Sequence, residues 1–472
     1  MVKITHASII ATDAANEARC PGLTPELLAS CGARYSRSND GLDHILSKVD
    51  PSNMDKSVDS IFKMVDYGHQ SIADMVPISM FMDNISMWLV YYMWSLCPLA
   101  GGQESSTRYI KFDKDSLPDA EYLGIPENRR KDWNLTINLN VQTYEAVLQR
   151  WTEMVTKKPS LMKIPKEVLE DTSPKGIKKI ERMKRNYAFD RARYYLPFCA
   201  FTNVMMIQSA RAWANLCRHL CSHQAIEAQL VGKEIAEKLK LSAPRLVKHA
   251  TEEYSYMSGL KQEFKRMTTI NAVSKPNTLR HGNGISVAYD KAHLSVDCGE
   301  HVDQHMLASD LEFHSNRYSY IGEYLKATSV RFSWDAVSIA EIRDLNRHRT
   351  GTKTCPLEPV GFYSAMEQCP LANVSDLKYL KEMNGIGQLA TSKAYDRLSE
   401  HDPSYMYWLP LGAQFEFEHL TTADKFIYEA ELRTGTGAHF RYAKHLRDVL
   451  QLWYEKFPTT KGLISEGQAE PE

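Results

Sequence analysis

The chain has 472 residues, 43% hydrophobic and 24% charged, with a formal net charge of −1. That length exceeds one ordinary hydrophobic core and calls for a globular protein of two or more domains. The balanced charge gives no bulk attraction to a nucleic-acid polymer or an anionic membrane, and neither is expected as a partner.

The nine cysteines form no Cys-x-x-Cys pair and no zinc-like Cys/His spacing, so free thiols and no metal are expected. The opening "MVKITHASIIATDAANEARC" lacks the apolar run of a secretory signal, and a reducing, cytoplasmic setting follows. Residues 1–60 read as helical and mixed. "DYGHQSIADMVPISMFMDNISMWLVYYMWSL" passes from a Gly-His loop into a short helix, then into strand-like and helical apolar segments. Its most apolar part, "MWLVYYMWSLCPLAG", is too short to span a bilayer and contains proline, so it reads as core. Residues 113–185 are polar and basic and read as a helical insertion with exposed faces, the run "KKIERMKRN" being a solvated one. Residues 201–241 read as one strong helical stretch. Residues 268–286, rich in Pro, Gly and Asn, read as a linker. Beyond them "HMLASDLEFHSNRYSYIGEYLKATSVRFSWDAVS" repeats the 50–90 region in outline. A second long helix, "TADKFIYEAELRTGTGAHFRYAKHLRDVLQLWYEKF", closes the chain before a frayed tail.

Loop, strand and helix thus recur, and each long helix follows a Leu-Pro pair, Leu196-Pro197 or Leu409-Pro410. The matching order indicates an internal duplication. The expected divisions are a first half over 1–275 with the insertion at about 113–185, a second half over 287–462, and a flexible tail over 463–472.

"NRHRT" at 346–350 sets two arginines around a histidine after the amphipathic run "SWDAVSIAEIRDL". Alone, it is either a solvated helix end or an anion or cofactor site. Together with "ESSTRY" at 104–109 it resembles the flavin-dependent thymidylate synthase family, whose motif opens with Arg-His-Arg and closes with Glu-x-Ser-x-Arg-Tyr. Here the two ends lie in different halves. The first half keeps Glu104, Ser106, Arg108 and Tyr109, but Leu96-Cys97-Pro98 replaces the opening. The second half keeps Arg347, His348 and Arg349, but Cys355, Leu357 and Pro359 replace the closing residues.

"YGHQSIADM" is similar to the family's Gly-His-x-Ser/Thr signature, which implies His69 and Ser71 near a flavin. With the register set from each Leu-Pro pair, the family's flavin-contacting positions fall on Ser209, Arg211 and Asn215 in the first half, and on Thr422, Asp424 and Tyr428 in the second. The family's pyrimidine-contacting arginine falls on Leu220 in the first half and Arg433 in the second. The arginine before Leu-Pro is Arg193 in the first half and Met406 in the second. Each half has lost what the other retains, as a duplicated gene does when family subunits share active sites.

The resemblance implies an α+β fold of two tandem halves, each a small sheet with long helices, forming an intrachain pseudo-dimer packed through those helices. Two chains would then make a homodimer equivalent to four family subunits. It implies an FAD-dependent enzyme that transfers a one-carbon unit to C5 of a pyrimidine nucleotide, dUMP in the first instance, with NADPH and 5,10-methylenetetrahydrofolate as co-substrates. Arg433 would be catalytic. Arg347, Glu104, Ser106 and Arg108 would bind substrate. His69, Ser71, Arg347, His348, Arg349, Glu104, Arg211 and Asn215 would bind cofactor. Arginine suits this work, with a planar fork and permanent charge that match a phosphate, and Arg433 would stabilise charge developing on the pyrimidine. Asp344 stands where the family has Gln, which leaves a different or modified pyrimidine nucleotide open. A decayed, non-catalytic flavin-binding scaffold is the third reading; the alternating losses argue against it.

Overall fold

The computed structural model describes residues 25–467, apart from 37–41, 51–52, 54–55, 57, 60–69, 109–111, 113–115, 275–279, 282–283, 286–289 and 436. The fold is α+β and built as two tandem halves.

In the first half, helices α1 (Pro25–Tyr35) and α2 (Leu42–Ser47) precede strand β1 (Pro77–Ser86). Strand β1 runs directly into α3 (Met87–Leu96), where the Ser86 hydroxyl accepts the Leu89 N–H at 3.0 Å and caps the helix. Apolar on nearly every side, α3 is buried on nearly every side, so the aromatic run is core. There follow β2 (Gly101–Glu104), α4 (Glu127–Lys157), α5 (Pro174–Ala192), β3 (Phe201–Ser209), α6 (Ala210–Ser222), α7 (Ile226–Ser242) and α8 (Tyr254–Ser274). Strands order as β1-β3-β2.

After the hairpin β4 (Arg280–His281) and β5 (Gly284–Ile285), the second half opens with β6 (Ala292–Asp297) and β7 (Ser329–Ser338). Then come α9 (Ile339–Leu345), β8 (Thr352–Thr354), β9 (Gly361–Phe362), α10 (Val374–Ser399), β10 (Ala413–Thr422), α11 (Ala423–Thr434) and α12 (Phe440–Lys456). The sheet runs β6-β7-β10-β8, with β9 also on β10. Antiparallel β7 and β10 register Thr422 on Ser329 and Gln414 on Ser338, with an irregularity between Phe415 and Phe417.

The repeat is visible in matched local chemistry. Ser86 and Ser338 each end a ten-residue strand and begin a helix. Ser209 and Thr422 each end a strand and stand at the N-cap of the helix that follows. At the Leu-Pro pairs the bonding is reciprocal. Phe198 N–H donates to the Leu409 carbonyl and Leu411 N–H to the Leu196 carbonyl, both at 2.8 Å, with Pro197 opposite Pro410. Residue i meeting j while j meets i is what a two-fold relation requires. Tyr194 OH likewise donates to Glu341 at 2.8 Å, and Tyr407 OH to Glu227 at 3.0 Å. The two carboxylates come from different positions of the repeat, yet each also holds the backbone and hydroxyl of its own strand-ending serine.

Several sequence expectations need correction. Residues 201–241 are not one helix: the first nine residues form β3, whose alternating burial follows its period-two pattern, and α6 ends at Ser222 before α7 begins. The closing stretch likewise divides at "TGTG" into α11 and α12. The Leu-Pro segments pair reciprocally across the halves, and the long helices α4 and α10 also meet there, Lys393 donating to Asp132 at 2.6 Å. The 113–185 region is helical with exposed faces on both α4 and α5, as expected, but α4 also buries Trp133 and Trp151 on its other face. The first residues of the supposed linker are the end of α8. In the tail, Ser465 N–H donates to Glu431 at 2.7 Å and Gly467 N–H to Thr434 at 3.2 Å, so 463–467 are tied down; the rest lies outside the described residues.

By its contacts the chain forms two compact units, one of 1–80, 206–223 and 228–258, the other of 81–205, 224–227 and 259–472.

Candidate active site

Strand β7 delivers the Arg-His-Arg segment. Ser338 and Glu341 form a capping box at the start of α9, satisfying orphan backbone donors there. After two turns the helix ends, and Asn346, Arg347 and His348 are held by N–H bonds back to Ile342, Asp344 and Leu345. Gly351, at φ +63°, then turns the chain into β8; a side chain there would strike the Leu420 carbonyl as well as adopt a left-handed backbone. This is not a solvated helix end: His348 is buried and Arg347 about one third exposed, at 35%.

Facing it is the end of β2 from the other half. Arg343, on α9, pairs with the Glu104 carboxylate, and Arg347 stands 3.8 Å from the second oxygen of that group. Arg349 donates to the Gly102 carbonyl at 3.0 Å and lays its guanidinium 4.2 Å from the Trp94 ring centre. Arg193 donates to the Ala340 carbonyl at 2.6 Å and lies 3.6 Å from Asp344, whose other oxygen is 3.6 Å from Arg347. Arg433, on the last turn of α11, donates through Nε to His348 Nε2 at 2.6 Å and through Nη2 to the Asp344 carbonyl at 2.8 Å. Arg108 grips Asp190 with both prongs, Nε to Oδ1 at 3.0 Å and Nη2 to Oδ2 at 2.6 Å, and reaches the Gly437 carbonyl at 3.4 Å.

Six arginines (108, 193, 343, 347, 349, 433) therefore gather with three carboxylates (Glu104, Asp190, Asp344), an excess of positive charge. Burial would keep Asp344 protonated, but Arg347, Arg193, Arg433 and Arg343 outweigh it and drive its carboxyl far below the ordinary range. Arg343 is pushed down to about 10 by burial and by Arg347, against the pull of Asp344. His348 falls to about 3 because it is buried and beside Arg433, so it is neutral and its Nε2 lone pair accepts the Arg433 proton. Buried Nε atoms of Arg193, Arg343 and Arg349 have no hydrogen-bond partner among the described residues. Surplus cations with unspent donors suit a bound polyanion, and the phosphates of a flavin dinucleotide or of a nucleotide fit that need.

The second compact unit thus brings together Glu104, Arg108, Arg347, His348, Arg349 and Arg433. Ser106 is beside them in sequence, its hydroxyl accepting the Arg108 N–H at 3.4 Å. Ser71, Arg211 and Asn215 lie in the first unit. There Ser71 is exposed, Asn215 is exposed on α6, and Arg211 pairs with Asp74, Nε to Oδ1 at 2.9 Å. His69 and Tyr109 lie outside the described residues. Arg108, expected to bind substrate, has its fork occupied by Asp190 in this structure. Sequence reasoning missed Asp190 and Arg343. Arg343 carried a signal, four residues before Arg347 in an amphipathic run; Asp190, just past the expected 113–185 insertion on the last turn of α5, carried none.

Two comparisons bear on this cluster. The family model of the thymidylate synthase complementing proteins matches residues 23–245. UPF0159 protein Ta1429 of Thermoplasma acidophilum is 20% identical over 477 residues, spanning 92% of this chain and 93% of its own.

Proposed function

We propose, from the match of residues 23–245 to the family model of the thymidylate synthase complementing proteins, that the whole chain is an FAD-dependent thymidylate-synthase-like methyltransferase with one composite site. Its substrate is a pyrimidine nucleotide, dUMP first, and its one-carbon donor 5,10-methylenetetrahydrofolate, with NADPH as reductant. The observation that carries this reading is the pairing of Glu104, from the closing motif of one half, with Arg343 and Arg347 around the Arg-His-Arg of the other. Remnants that are incomplete in each half meet where one complete motif would stand.

Bound reduced flavin supplies the hydride. The chain's own groups do the rest. Arg347, Arg349 and the unspent donors of Arg193 and Arg343 hold anionic groups. Arg433, fixed by neutral His348 and the Asp344 carbonyl, presents a cation to the pyrimidine, where negative charge develops as C5 becomes nucleophilic. Asp344 favours an unmodified uracil nucleotide over a cytosine one: its charge is already matched by arginines, which leaves it little call to accept an amino group. A cytoplasmic homodimer is part of the same proposal.

Purified protein scanned for flavin absorbance is the first test. Release of tritium from C5-labelled dUMP and dCMP, with folate and NADPH supplied, is the second. Protein that takes up no flavin and releases no label from either nucleotide overturns the proposal.

A further inference from the structure

Resting on that reading, we propose that Asp190 is a specificity-determining residue: an internal carboxylate that occupies the Arg108 fork and that an incoming phosphate must displace. Three observations carry it. The grip is bidentate, at 3.0 and 2.6 Å, the geometry arginine also uses for a phosphate. The pair is buried, with side-chain exposures of 18% and 10%, so water screens it little. Asp190 is also anchored from behind, its backbone carbonyl accepting His439 Nε2 at 3.1 Å.

The groups facing this carboxylate are Arg108, His439 and Arg193, and the imidazole is buried and held neutral near 3 by burial and by Arg193. The charge on Asp190 is therefore countered by arginine alone. An anion approaching Arg108 meets a carboxylate in the same fork. A phosphomonoester dianion feels that repulsion more than a monoanion does, so Asp190 sets both affinity and the charge of anion preferred. The third contact of Arg108, the Gly437 carbonyl in the "TGTG" turn, ties the fork to the other half, close in sequence to Arg433. Displacing Asp190 by phosphate would leave that tie in place.

The test is titration calorimetry of the full-length protein with dUMP and with inorganic phosphate. Asp190→Asn keeps the shape and removes the charge, and should bind both about tenfold more tightly. Asp190→Glu, which keeps the charge, should bind like wild type. In Arg108→Gln the gain from Asp190→Asn should vanish, since the effect runs through one fork. If Asp190→Asn binds dUMP equally or more weakly, Asp190 only positions Arg108 and the inference fails while the site reading stands. If Asp190→Asn unfolds, wild type and Asp190→Glu are compared for phosphate and dUMP: a Glu variant that binds more tightly than wild type also overturns it. Binding of neither ligand by any variant removes the inference and the nucleotide reading together.

Discussion

The cluster around Arg347 and the pseudo-equivalent place in the other pairing of halves are built on the same backbone plan, yet one gathers arginines and the other has lost them at the matching positions. Counted from the strand-ending serines Ser338 and Ser86, a register one residue off the Leu96-Cys97-Pro98 match expected from sequence, the α3 positions that match Arg343 and Asp344 of α9 are Tyr91 and Tyr92. Where Glu104 closes the motif, the second half has Cys355. Where the Arg343–Glu104 ion pair stands in one place, the neutral Tyr91 and Cys355 are neighbours in the other. Arg193 gives way to Met406, and Arg433 to Leu220. Phe264 of α8 stacks with Tyr405 beside this second place, ring centres 6.0 Å apart. Keeping a buried charge cluster costs several kcal/mol of desolvation per ion unless something uses it. One copy retains that cost and the other has exchanged it for packing, which fits the single composite site proposed above.

The sharpest way to break the comparison is to cut the equivalent contact in each place. Glu104→Ala strands Arg343, which is 7% exposed, without its counter-charge. Urea unfolding should show a loss of ~3–5 kcal/mol, the range for breaking a buried pair. Cys355→Ala removes only a neutral thiol and should cost less, ~1 kcal/mol. Equal losses would mean the Glu104 pair is solvated and the contrast between the two places is illusory.

A second cut concerns chemistry. Arg433→Ala should lower kcat by ~10²-fold, the effect of losing one electrostatic donor to a developing charge, while flavin absorbance of the purified protein is retained. The matching position, Leu220, has no charge to lose, and Leu220→Ala should act on stability alone. Turnover unchanged in Arg433→Ala, with whichever nucleotide wild type uses, removes that arginine from the site.

Much of this was legible because it is local or periodic. The Leu-Pro pairs, the Arg-His-Arg run and the closing Glu-x-Ser-x-Arg are short and keep their spacing. The burial of α3 follows from a run apolar on every side. What escaped was long-range. The strand at 201–209 looked helical because it is continuous with a helix and its alternation is brief. The capture of Arg108 by Asp190 joins residues more than eighty positions apart, through a helix whose exposed lysines masked its inward face. Pairwise charge matching of that kind leaves no periodic trace.

Arg347 is the most exposed member of the cluster that touches Glu104, with no contact to that carboxylate shorter than 3.8 Å. It is the arginine freest to meet an incoming anion. Arg347→Ala should weaken dUMP binding by about tenfold in calorimetry with thermal stability nearly unchanged, because loosely held, partly exposed pairs add ~0–1 kcal/mol. Its counterpart Ser95 is exposed, its hydroxyl spent on the Tyr92 carbonyl at 2.7 Å; Ser95→Ala should alter neither quantity. A large fall in stability for Arg347→Ala would make it a structural cation instead.

The smallest expected effect is a change in slope. His348 is held neutral, near 3, by burial and by the Arg433 N–H that its lone pair accepts. In the unfolded chain it titrates near ~6.5. Above that pH neither state binds the proton and His348 adds no pH dependence. Between about 6.5 and 3 only the unfolded chain takes it up, so stability falls as the medium is acidified, by at most ~1.4 kcal/mol per pH unit for one such group. His348→Gln keeps an oxygen that can accept from Arg433 but cannot titrate. Its urea midpoints at pH 6.5, 5.5 and 4.5 should therefore decline less steeply than those of wild type. The remaining decline belongs to other buried groups held low, the imidazoles of His439 and His223 and the carboxylates of Glu341 and Glu429 among them. The matching residue in the other place, Leu96, cannot titrate, so the His348 contribution has no counterpart there. A variant whose midpoints fall as steeply as wild type would show that His348 is already protonated in the folded protein, and the Arg433 hydrogen bond to its lone pair would then be wrong.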